Sequence, residues 1–448
     1  MVKARSQFVC QQCEAVFTKW MGRCDNCGAW NSLLESSPVV DGKSAVARSA
    51  GRKISAERIA DIPINQVSQR ISTGIGDLDL VLGGGLMSGG VVLIAGQPGI
   101  GKSTLLMQLA GYISKDDKVL YASGEESTSQ VKMRAERLGA TGADNLYLAS
   151  TTSADDVAAT IASGQYKLAI VDSMQTMAMA EISSAPGTVS QITNSANIII
   201  RAAKKANTAV VLVGHITKDG AIAGPKVLEH LVDVVLNFEG DRYGGFKLIR
   251  AIKNRYGATS EVAIFDMTDS GLKIVENPSA ALLSERALVD GSIALATLEG
   301  SRPLLVEIQA LVNPTSYGYP RRASSGFDVN RLTLLVAVLE RRTKLKLSDK
   351  DIFINVVGGL KLQDRAADLA VCMAIASAAA QRKLGDGAVV FGEVGLGGEI
   401  RSASMPAKRI AEAKKLGFSY AIGPRSAKKD KFVVPAVDLR DALNQHLK

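Results

Sequence analysis

The stretch Gly96-Gln97-Pro98-Gly99-Ile100-Gly101-Lys102-Ser103-Thr104 decides the fold of this chain. It fits the pattern G-x-x-x-x-G-K-[S/T], in which glycines let backbone N–H groups surround phosphate oxygens. An apolar run at residues 91–95 precedes it, and a helical pattern at residues 105–110 follows it. This order of strand, loop and helix is what a phosphate-binding loop requires, whereas a chance match would be only a glycine-rich turn. The stretch therefore predicts a nucleotide-binding α/β fold.

Two magnesium contacts are expected around this loop. Lys102 is predicted to reach the β- and γ-phosphates of the nucleotide, and the Ser103 hydroxyl to bind Mg²⁺. Asp172 ends an apolar strand at residues 168–171 and is expected to contact Mg²⁺ through a water molecule. The alternative for Asp172 is an ordinary helix N-cap. Its place on the strand favours the magnesium role.

Polar side chains at two further strand ends are candidates for the catalytic chemistry. Glu125 and Glu126 follow the strand after the helix of the loop, where a carboxylate can polarise the attacking water. We favour Glu125, because Glu126 better suits a helix start, where it interacts with the helix dipole. His215 follows a buried strand at residues 210–213 and is expected to sense the γ-phosphate; the alternative is a hydrogen-bonded loop histidine.

The composition limits the classes of protein to which the chain can belong. At 448 residues the chain is too long for one core, so we expect two or three domains. Its apolar stretches have strand length, well short of the roughly 18 residues that a membrane span needs. Residues 1–30 carry cysteines and charges where a secretory signal would be apolar, so we expect a cytoplasmic protein. The net charge of +9 permits a polyanionic partner, but a solvated basic surface explains it equally well.

Four of the five cysteines form a cluster near the N-terminus, in the pairs Cys10-x-x-Cys13 and Cys24-x-x-Cys27. In a cytosolic chain, thiolates paired in this way predict a tetrahedral Zn²⁺ site. The alternatives are a redox pair or two pairs that arise by chance. A module this short cannot fold by burial alone, so zinc is expected to fold it.

The role of the cysteine module stays open between two interpretations. It combines basic residues with aromatic ones, among them Trp20 and Trp30. Such a surface can stack on bases and neutralise phosphates, which favours nucleic acid as its partner. It can equally serve as a knob for docking a protein.

Periodicity and composition divide the chain into four regions. We expect the Cys₄ module at residues 1–30, a flexible linker at 31–60, an ATPase domain at 61–275 and a further α/β domain at 281–448. The last boundary is placed near Pro278. Strands that alternate with helices in the ATPase region predict a parallel sheet. Cys372 lies in an apolar run and is expected to be a core residue.

The predicted elements can be stated by residue number. The predicted strands are residues 91–95, 118–122, 168–171, 210–213, 234–238, 292–298, 304–311, 352–356 and 389–391. The predicted helices are residues 127–138, 154–162, 188–206, 331–339 and 366–380.

A short basic segment, Lys253-Asn254-Arg255-Tyr256-Gly257, follows a further strand-like run. In a ring ATPase, a pair of cations such as Lys253 and Arg255 can reach the γ-phosphate of the neighbouring subunit and stabilise the charge of the transition state. As an isolated motif the segment is weak, and a solvated basic turn is the alternative.

Taken together, these motifs resemble the bacterial RadA (Sms) family of DNA repair proteins. The resemblance covers nearly the whole chain. It rests on the cysteine cluster, the phosphate-binding loop and the basic segment, in which Tyr256 stands where the family has phenylalanine. Four further stretches carry it: Ser72-Thr73-Gly74, Leu82-Gly83-Gly84-Gly85, Ser123-Gly124-Glu125-Glu126-Ser127 and Leu228-Glu229-His230-Leu231-Val232-Asp233.

This resemblance implies a RecA-like ATPase core, the Cys₄ zinc module and a C-terminal domain similar to Lon protease. It implies ATP-driven movement on single-stranded DNA in a hexameric ring, and branch migration of recombination intermediates together with the main recombinase, RecA. Lys253 and Arg255 are then expected to act on ATP across the subunit interface. The DNA-contacting loops are expected near residues 178–190 and 216–226, and the basic residues of the C-terminal domain are candidates for the DNA path. These are Arg321, Arg322, Arg331, Arg341, Arg342, Lys344 and Lys346. For any one of them, the favoured alternative is a plain surface charge.

The chain departs from the family pattern in two places. Ile192-Thr193-Asn194 stands where the family usually has an Arg-Glu pair, so a DNA or interface role of that pair is in doubt. A Lon-type protease needs a nucleophilic serine beside a lysine. Ala366 and Ala367 lie near the expected serine position, and Lys408 does not match the lysine position cleanly. We therefore expect a non-proteolytic platform; the alternatives are an ATP-dependent protease and a RecA-like scaffold ATPase without motor activity.

Overall fold

The computed structural model describes residues 7–10, 15–30, 32–36, 58–59, 70–140, 142, 144–216, 222–223, 227–240, 245–316 and 318–447. The strands, in chain order, are β1 Gln7–Cys10, β2 Val16–Phe17, β3 Leu33–Ser36, β4 Arg70–Ile71, β5 Leu86–Met87, β6 Val91–Gly96, β7 Val119–Ser123, β8 Leu146–Ser150, β9 Leu168–Asp172, β10 Ala209–Ile216, β11 Ile222–Ala223, β12 Val234–Gly240, β13 Lys247–Asn254, β14 Val262–Thr268, β15 Gly271–Ile274, β16 Ser292–Glu299, β17 Arg302–Pro314, β18 Arg322–Ser325, β19 Lys350–Val356, β20 Ala388–Val390, β21 Glu393–Val394, β22 Ile400–Arg401, β23 Tyr420–Pro424 and β24 Val433–Ala436.

The α-helices include the five predicted from the sequence. They are α1 Gly76–Leu82, α2 Lys102–Ile113, α3 Thr128–Arg137, α4 Ala154–Ala162, α5 Val189–Ala206, α6 Val227–Leu231, α7 Pro278–Leu283, α8 Val329–Arg342, α9 Ala367–Ala380, α10 Pro406–Lys415 and α11 Leu439–His446. Among the residues described, none of these helices is both long and apolar enough to cross a membrane.

The chain forms two compact units. The first contains residues 1–71, 86–94 and 110–233, and the second contains residues 72–85, 95–109 and 234–448. The division passes through the predicted ATPase region and not near Pro278, which is the first residue of α7. The domain boundaries predicted for residues 61–275 and 281–448 therefore stay predictions about the sequence.

The first unit contains the parallel part of the predicted fold. Its strands lie in the order β6-β10-β9-β7-β8, and β9 pairs in parallel with both β7 and β10. Strands β6 and β9 are rich in Val, Leu and Ile and are buried on both faces, as parallel strands between helices are. Because Ser123 pairs with Asp172, β7 and β9 end at the same edge.

The N-terminal part of the first unit is a small antiparallel sheet in the order β2-β1-β3. The serine-rich composition of residues 31–60 predicts a linker there. However, Leu33–Ser36 forms β3 and pairs with β1, so the module extends beyond residue 30. The composition does not reveal this strand, because the strand is stabilised by its pairing with β1 and not by the intrinsic β-propensity of its residues. The remainder of the predicted linker lies almost entirely outside the described residues.

The second unit begins its sheet structure with an antiparallel ladder. Strands β12, β13, β14 and β15 pair in succession, each antiparallel to the next. The sequence predicts a parallel sheet throughout this region, and that expectation is wrong here. The physical reason is the connections: β14 ends at Thr268 and β15 begins at Gly271, and so short a turn can join only antiparallel strands. The α/β class itself is confirmed, with mixed sheets.

The C-terminal part of the second unit is a mixed sheet in the order β18-β19-β17-β16-β20-β23-β24. Helix α9 packs against β16 and β17, and every residue from Ala367 to Ser377 is buried. Cys372 is among them, and burial raises the pKa of its thiol well above its usual value. The prediction that Cys372 is a core residue is confirmed.

Candidate functional site

The phosphate-binding loop lies between β6 and α2. Lys102 is the first residue of α2, and its side chain is almost fully buried. Its Nζ donates hydrogen bonds to the backbone oxygens of Gly96 at 2.9 Å and Gln97 at 3.1 Å. Pro98 and Gly99 at the tip of the loop are exposed. The ammonium group is thus held inside the loop, where a phosphate would meet both it and the backbone N–H groups at the start of α2.

Two glycines of the loop are required by close approach. A Cβ on Gly96 would lie 2.7 Å from the backbone oxygen of Phe238 on β12. Gly101 has a φ of +117°, and a Cβ there would lie 2.7 Å from Cε of Met267. Gln108 of α2 exchanges two hydrogen bonds with the backbone of Leu272 on β15, at 3.0 and 2.9 Å. The antiparallel ladder of the second unit therefore fixes the loop and its helix.

At the edge of the first unit, Asp172 is held by a tyrosine. Asp172 is buried at the end of β9, and its Oδ2 accepts a hydrogen bond of 2.7 Å from the hydroxyl of Tyr121 on β7. Burial, and then the charge of Asp172, raises the pKa of Tyr121 well above its usual value, so the hydroxyl stays protonated as a donor. The Asp172 carboxylate and the Ser103 hydroxyl, which belong to different units, are each a hard oxygen donor of the kind that Mg²⁺ prefers.

The two candidate bases have different surroundings. Glu126 forms an ion pair with Arg134 of α3, and its backbone N–H donates to Ser123. Glu125 instead accepts a hydrogen bond from the hydroxyl of Ser173, the residue that follows Asp172. The carboxylate of Glu125 therefore lies beside the end of β9, whereas that of Glu126 is engaged by Arg134 in the last turn of α3. Ser127 caps that helix together with Gln130.

The segment of residues 253–257 begins at the end of β13. The ladder between β12 and β13 is irregular at Val235 and Leu236, so Ile252 is an extra residue opposite this step. A bulge of this kind redirects the side chains that follow it. Lys253 is half-buried and Arg255 is exposed. The two cations therefore lie on an irregular strand end in the second unit.

Two motifs of the sequence pack against each other around this segment. Asn254 donates from Nδ2 to the backbone oxygen of Val81 at 3.1 Å, at the end of α1. A Cβ on Gly83, whose φ is +83°, would lie 2.8 Å from the backbone oxygen of Tyr256. A Cβ on Gly257 would lie 2.7 Å from Cα of Gly83. The glycine-rich turn after α1 therefore packs directly against residues 253–257 and supports them.

Cys10, Cys24 and Cys27 come together as the sequence predicts. Their sulfur atoms lie within 4.8 Å of one another, and the Sγ atoms of Cys10 and Cys27 are 3.6 Å apart. Tetrahedral Zn²⁺ with bonds of about 2.3 Å places its sulfur ligands about 3.8 Å apart, so this donor set fits zinc. Cys13 lies outside the described residues, as does the side chain of His215, whose backbone is part of β10.

The cysteine module presents large aromatic side chains on its surface. The exposed fraction is 57% for Trp20 and 74% for Trp30. The guanidinium of Arg23 lies 5.8 Å from the ring centroid of Trp30, within the range of a cation–π contact. This surface is compatible with both interpretations of the module.

Several predicted positions in the remainder of the chain have other roles. Ala366 and Ala367 are buried at the start of α9, and Lys408 donates from Nζ to the backbone oxygen of Ser301 at 3.0 Å. Arg331 pairs with the buried Asp368. Burial lowers the pKa of Arg322, which bonds the backbone oxygens of Leu347 and Lys350. Arg322 and Arg331 therefore hold parts of this chain together, and their place on a DNA path stays a prediction.

The segment that departs from the family pattern lies on α5. Ile192 is buried, and Asn194 donates to the backbone oxygen of Ser190 at 2.9 Å. The preceding Gln191 is also buried and bonds the backbone of Met179, Ile182 and Ser184. Gln191 therefore organises the loop before α5, in which DNA contacts are expected. Most of the other expected loop, at residues 216–226, lies outside the described residues.

Sequence reasoning did not identify Tyr121, Ser173 or Gln191. Tyr121 lies within an apolar strand, where its hydroxyl gives no periodic signal, and its partner is distant in sequence. Ser173 has one weak signal, its position directly after Asp172. No single-sequence pattern distinguishes the buried Gln191 from an exposed glutamine at a helix start.

Comparisons with known proteins agree with this geometry. A family profile described as an AAA domain matches residues 61–221, and one described as a rubredoxin metal binding domain matches residues 8–35. The chain is 46% identical over 429 residues to the DNA repair protein RadA of Pseudomonas aeruginosa, which covers 95% of this chain and 94% of that protein. It is 45% identical over 433 residues to the DNA repair protein RadA of Escherichia coli, with coverages of 95% and 94%. The crystal structure of the RadB recombinase aligns with 46% of this chain and 99% of its own, at 22% identity and a TM-score of 0.37.

Proposed function

Because this chain belongs to the RadA family of DNA repair proteins, we propose that it is a DNA-dependent ATPase of the helicase type. In this proposal it translocates on single-stranded DNA and promotes branch migration of recombination intermediates. The observation that carries the proposal is the loop of residues 96–104, with the buried Lys102 turned into a cradle of backbone groups at the start of α2. Such a cradle is built for the phosphates of ATP.

The proposed hydrolysis divides its tasks among a few side chains. Lys102 holds the β- and γ-phosphates, while the hydroxyl of Ser103 and the carboxylate of Asp172 hold Mg²⁺. When bound, this ion neutralises charge on the phosphates. Glu125 orients the attacking water and accepts its proton, a role supported by its place beside Ser173 and by the engagement of Glu126 with Arg134. His215 is proposed to sense the γ-phosphate.

The proposed site is completed by a neighbouring subunit. Lys253 and Arg255 would stabilise the charge that develops on the γ-phosphate, as cations supplied in trans do in other ATPases. We therefore also propose a hexameric ring, in which hydrolysis in one subunit depends on the next. The exposed position of Arg255 fits a residue that acts outside its own chain.

The proposed partners follow from a repair function. Single-stranded and branched DNA would contact the loop near residues 178–190, and RecA would supply the recombination intermediates. Since the DNA of a bacterium lies in its cytoplasm, we place the protein there. The zinc module, with its exposed Trp20 and Trp30, would contact DNA or a protein partner. We also propose that the C-terminal domain resembles Lon protease and is a non-proteolytic platform.

A forked-DNA unwinding assay tests the proposal. The wild type should displace the strand in the presence of ATP and Mg²⁺, and Lys253→Ala should bind ATP normally but lose unwinding. Lys273→Ala, at an exposed position of β15, is the matched control and should unwind normally. Unchanged unwinding by Lys253→Ala would reject the role in trans. ATP-dependent degradation of casein would instead favour a protease, and DNA binding without strand displacement would favour a scaffold ATPase.

A further inference from the structure

The turn between β16 and β17, residues 299–302, meets the surroundings of residues 253–257 at several points. The turn lies in the second unit with α1, β13 and the 253–257 segment. It is distant from them in sequence, so its contacts are tertiary. Its polar residues contact β13, the residues that follow the segment, and α1.

The first contact is an ion pair between the turn and β13. Glu299 is buried, and its Oε1 lies 2.8 Å from Nη1 of Arg250. The same guanidinium donates to Glu239 on β12 at 2.6 Å. Arg250 lies on the strand that ends in Lys253, so this three-residue network ties the turn to that strand. In such a partly buried network, removal of Arg250 leaves the buried Glu299 without its partner.

The second contact is made by the backbone of the turn. The N–H of Ser301 donates to the backbone oxygen of Ser260 at 2.5 Å, and its hydroxyl donates to Glu261 at 2.8 Å. Gly300 has a φ of +60°, and a Cβ there would lie 2.2 Å from the same oxygen of Ser260. The turn therefore rests directly on the chain that leaves the 253–257 segment.

The third contact is with α1, the helix whose C-terminal turn supports the segment. Arg302 donates from Nη1 to Asp77 of α1 at 2.6 Å, and both side chains are about three-quarters buried. Helix α1 ends in the turn around Gly83 that packs against Tyr256 and Gly257. One short turn thus contacts the strand before the segment, the chain after it and the helix that supports it.

From these contacts we infer that residues 299–302 are a positioning element for the 253–257 segment, and that Arg302 is its principal positioning residue. The inference rests on the proposed function for its catalytic consequence, because Lys253 and Arg255 are proposed to act on ATP. Through this element, the sheet of the C-terminal part sets the position of these cations. It gives that part of the chain a role in ATP turnover that does not require a nucleophile.

The test combines hydrogen exchange with ATPase kinetics on the full-length protein. Arg302→Ala is compared with Arg425→Ala, an exposed arginine of the same unit. In the wild type the amide of Tyr256 donates to Oδ1 of Asn254 at 2.8 Å, so its protection reports the order of the segment. Arg302→Ala should increase exchange in peptides covering residues 251–260 and lower kcat for ATP about tenfold or more, since small displacements of a catalytic group are costly. The affinity for ATP should change by less than about twofold, because phosphate binding by Lys102 is retained.

A charge swap and the Lys253→Ala variant make the result decisive. The pair Asp77→Arg with Arg302→Asp should restore much of the protection and kcat that either single variant loses. Unchanged hydrogen exchange in Arg302→Ala would overturn the inference. It would also be overturned if Arg302→Ala increases exchange but keeps a normal kcat while Lys253→Ala has a lowered kcat. If Lys253→Ala itself keeps normal kcat, the proposed role in trans fails, and the exchange data alone then decide whether the turn orders the segment.

Discussion

The hydroxyl of Tyr121 on β7 donates a hydrogen bond of 2.7 Å to Oδ2 of Asp172 on the adjacent strand β9. Both residues are buried, so water does not replace this bond easily. The contact fixes the orientation of the carboxylate that is proposed to hold Mg²⁺. Tyr121 therefore belongs to the proposed nucleotide site as a positioning residue.

Removal of this hydroxyl should weaken the response to magnesium. We expect Tyr121→Phe to raise the Mg²⁺ concentration at half-maximal binding of a fluorescent ATP analogue by about tenfold. The reason is that a hydrogen bond to a charged group contributes about 1.5 kcal/mol or more. Nucleotide binding without Mg²⁺ should be unchanged. Tyr147→Phe, on the neighbouring strand β8 and 40% exposed, is the control. A Tyr121→Phe titration that overlays the wild type would remove Tyr121 from the site.

The loop before α5 should depend on the amide of Gln191. Its Nε2 donates to the backbone oxygens of Ile182 at 3.0 Å and Ser184 at 2.9 Å. Gln191→Glu replaces this donor with a carboxylate that faces those oxygens, so we expect Tm to fall by on the order of 5 °C. Proteolysis within residues 180–187 should accelerate. Gln165→Glu, at an exposed turn, should leave both measurements unchanged; equal behaviour of the two variants would contradict this role.

Glu340 at the end of α8 should give the stability a dependence on acid pH. Hydrogen bonds from the backbone N–H groups of Leu347, the larger cause, and Ser348 lower the pKa of Glu340 below its usual 4.5. Since the pKa is lowered by folding, the stabilisation is present above pH 4.5 and is lost as pH falls through the lower folded value. Because this carboxylate is mostly solvated, we expect Glu340→Gln to cost less than about 1 kcal/mol at pH 7. Urea unfolding at pH 7 and pH 3 measures the difference in free energy of unfolding between the wild type and Glu340→Gln, with Glu136→Gln as the exposed control. A difference that is larger at pH 3 than at pH 7 would contradict the assignment.

The cysteine cluster should hold zinc through all its thiolates. Metal analysis of the wild type should give about one zinc per chain, and Cys24→Ser should lose it, because a buried hydroxyl is a poor substitute for a thiolate. Cys372→Ala, in the core of the second unit, should retain zinc. Retention of the metal by Cys24→Ser would show that the cluster is not the binding site.

Much of the fold could be predicted because the apolar pattern of many strands and helices is visible locally in the sequence. Residues 168–171 and 154–162 are examples, found as β9 Leu168–Asp172 and α4 Ala154–Ala162. In both cases the apolar pattern and the flanking polar residues carry the information locally. The antiparallel ladder from β12 to β15 was harder to predict, since it depends on the length of turns and on pairing.

The parts of the candidate site that could be predicted are those whose residues all belong to one sequence motif. The loop around Lys102 and the cluster of Cys10, Cys24 and Cys27 are such cases. The bond from Tyr121 to Asp172 and the pair of Arg302 with Asp77 were not predictable, because each joins residues that only the tertiary fold brings together. Their sequence contexts resemble those of ordinary strand and turn residues.

Steady-state ATP hydrolysis by Lys102→Ala, with and without single-stranded DNA, tests the central claim most directly. We expect the wild type to hydrolyse ATP faster when single-stranded DNA is present. We expect Lys102→Ala to lose hydrolysis under both conditions, because the buried ammonium is proposed to hold the phosphates. Hydrolysis by Lys102→Ala at the wild-type rate would contradict the assignment of residues 96–104 as the ATP site.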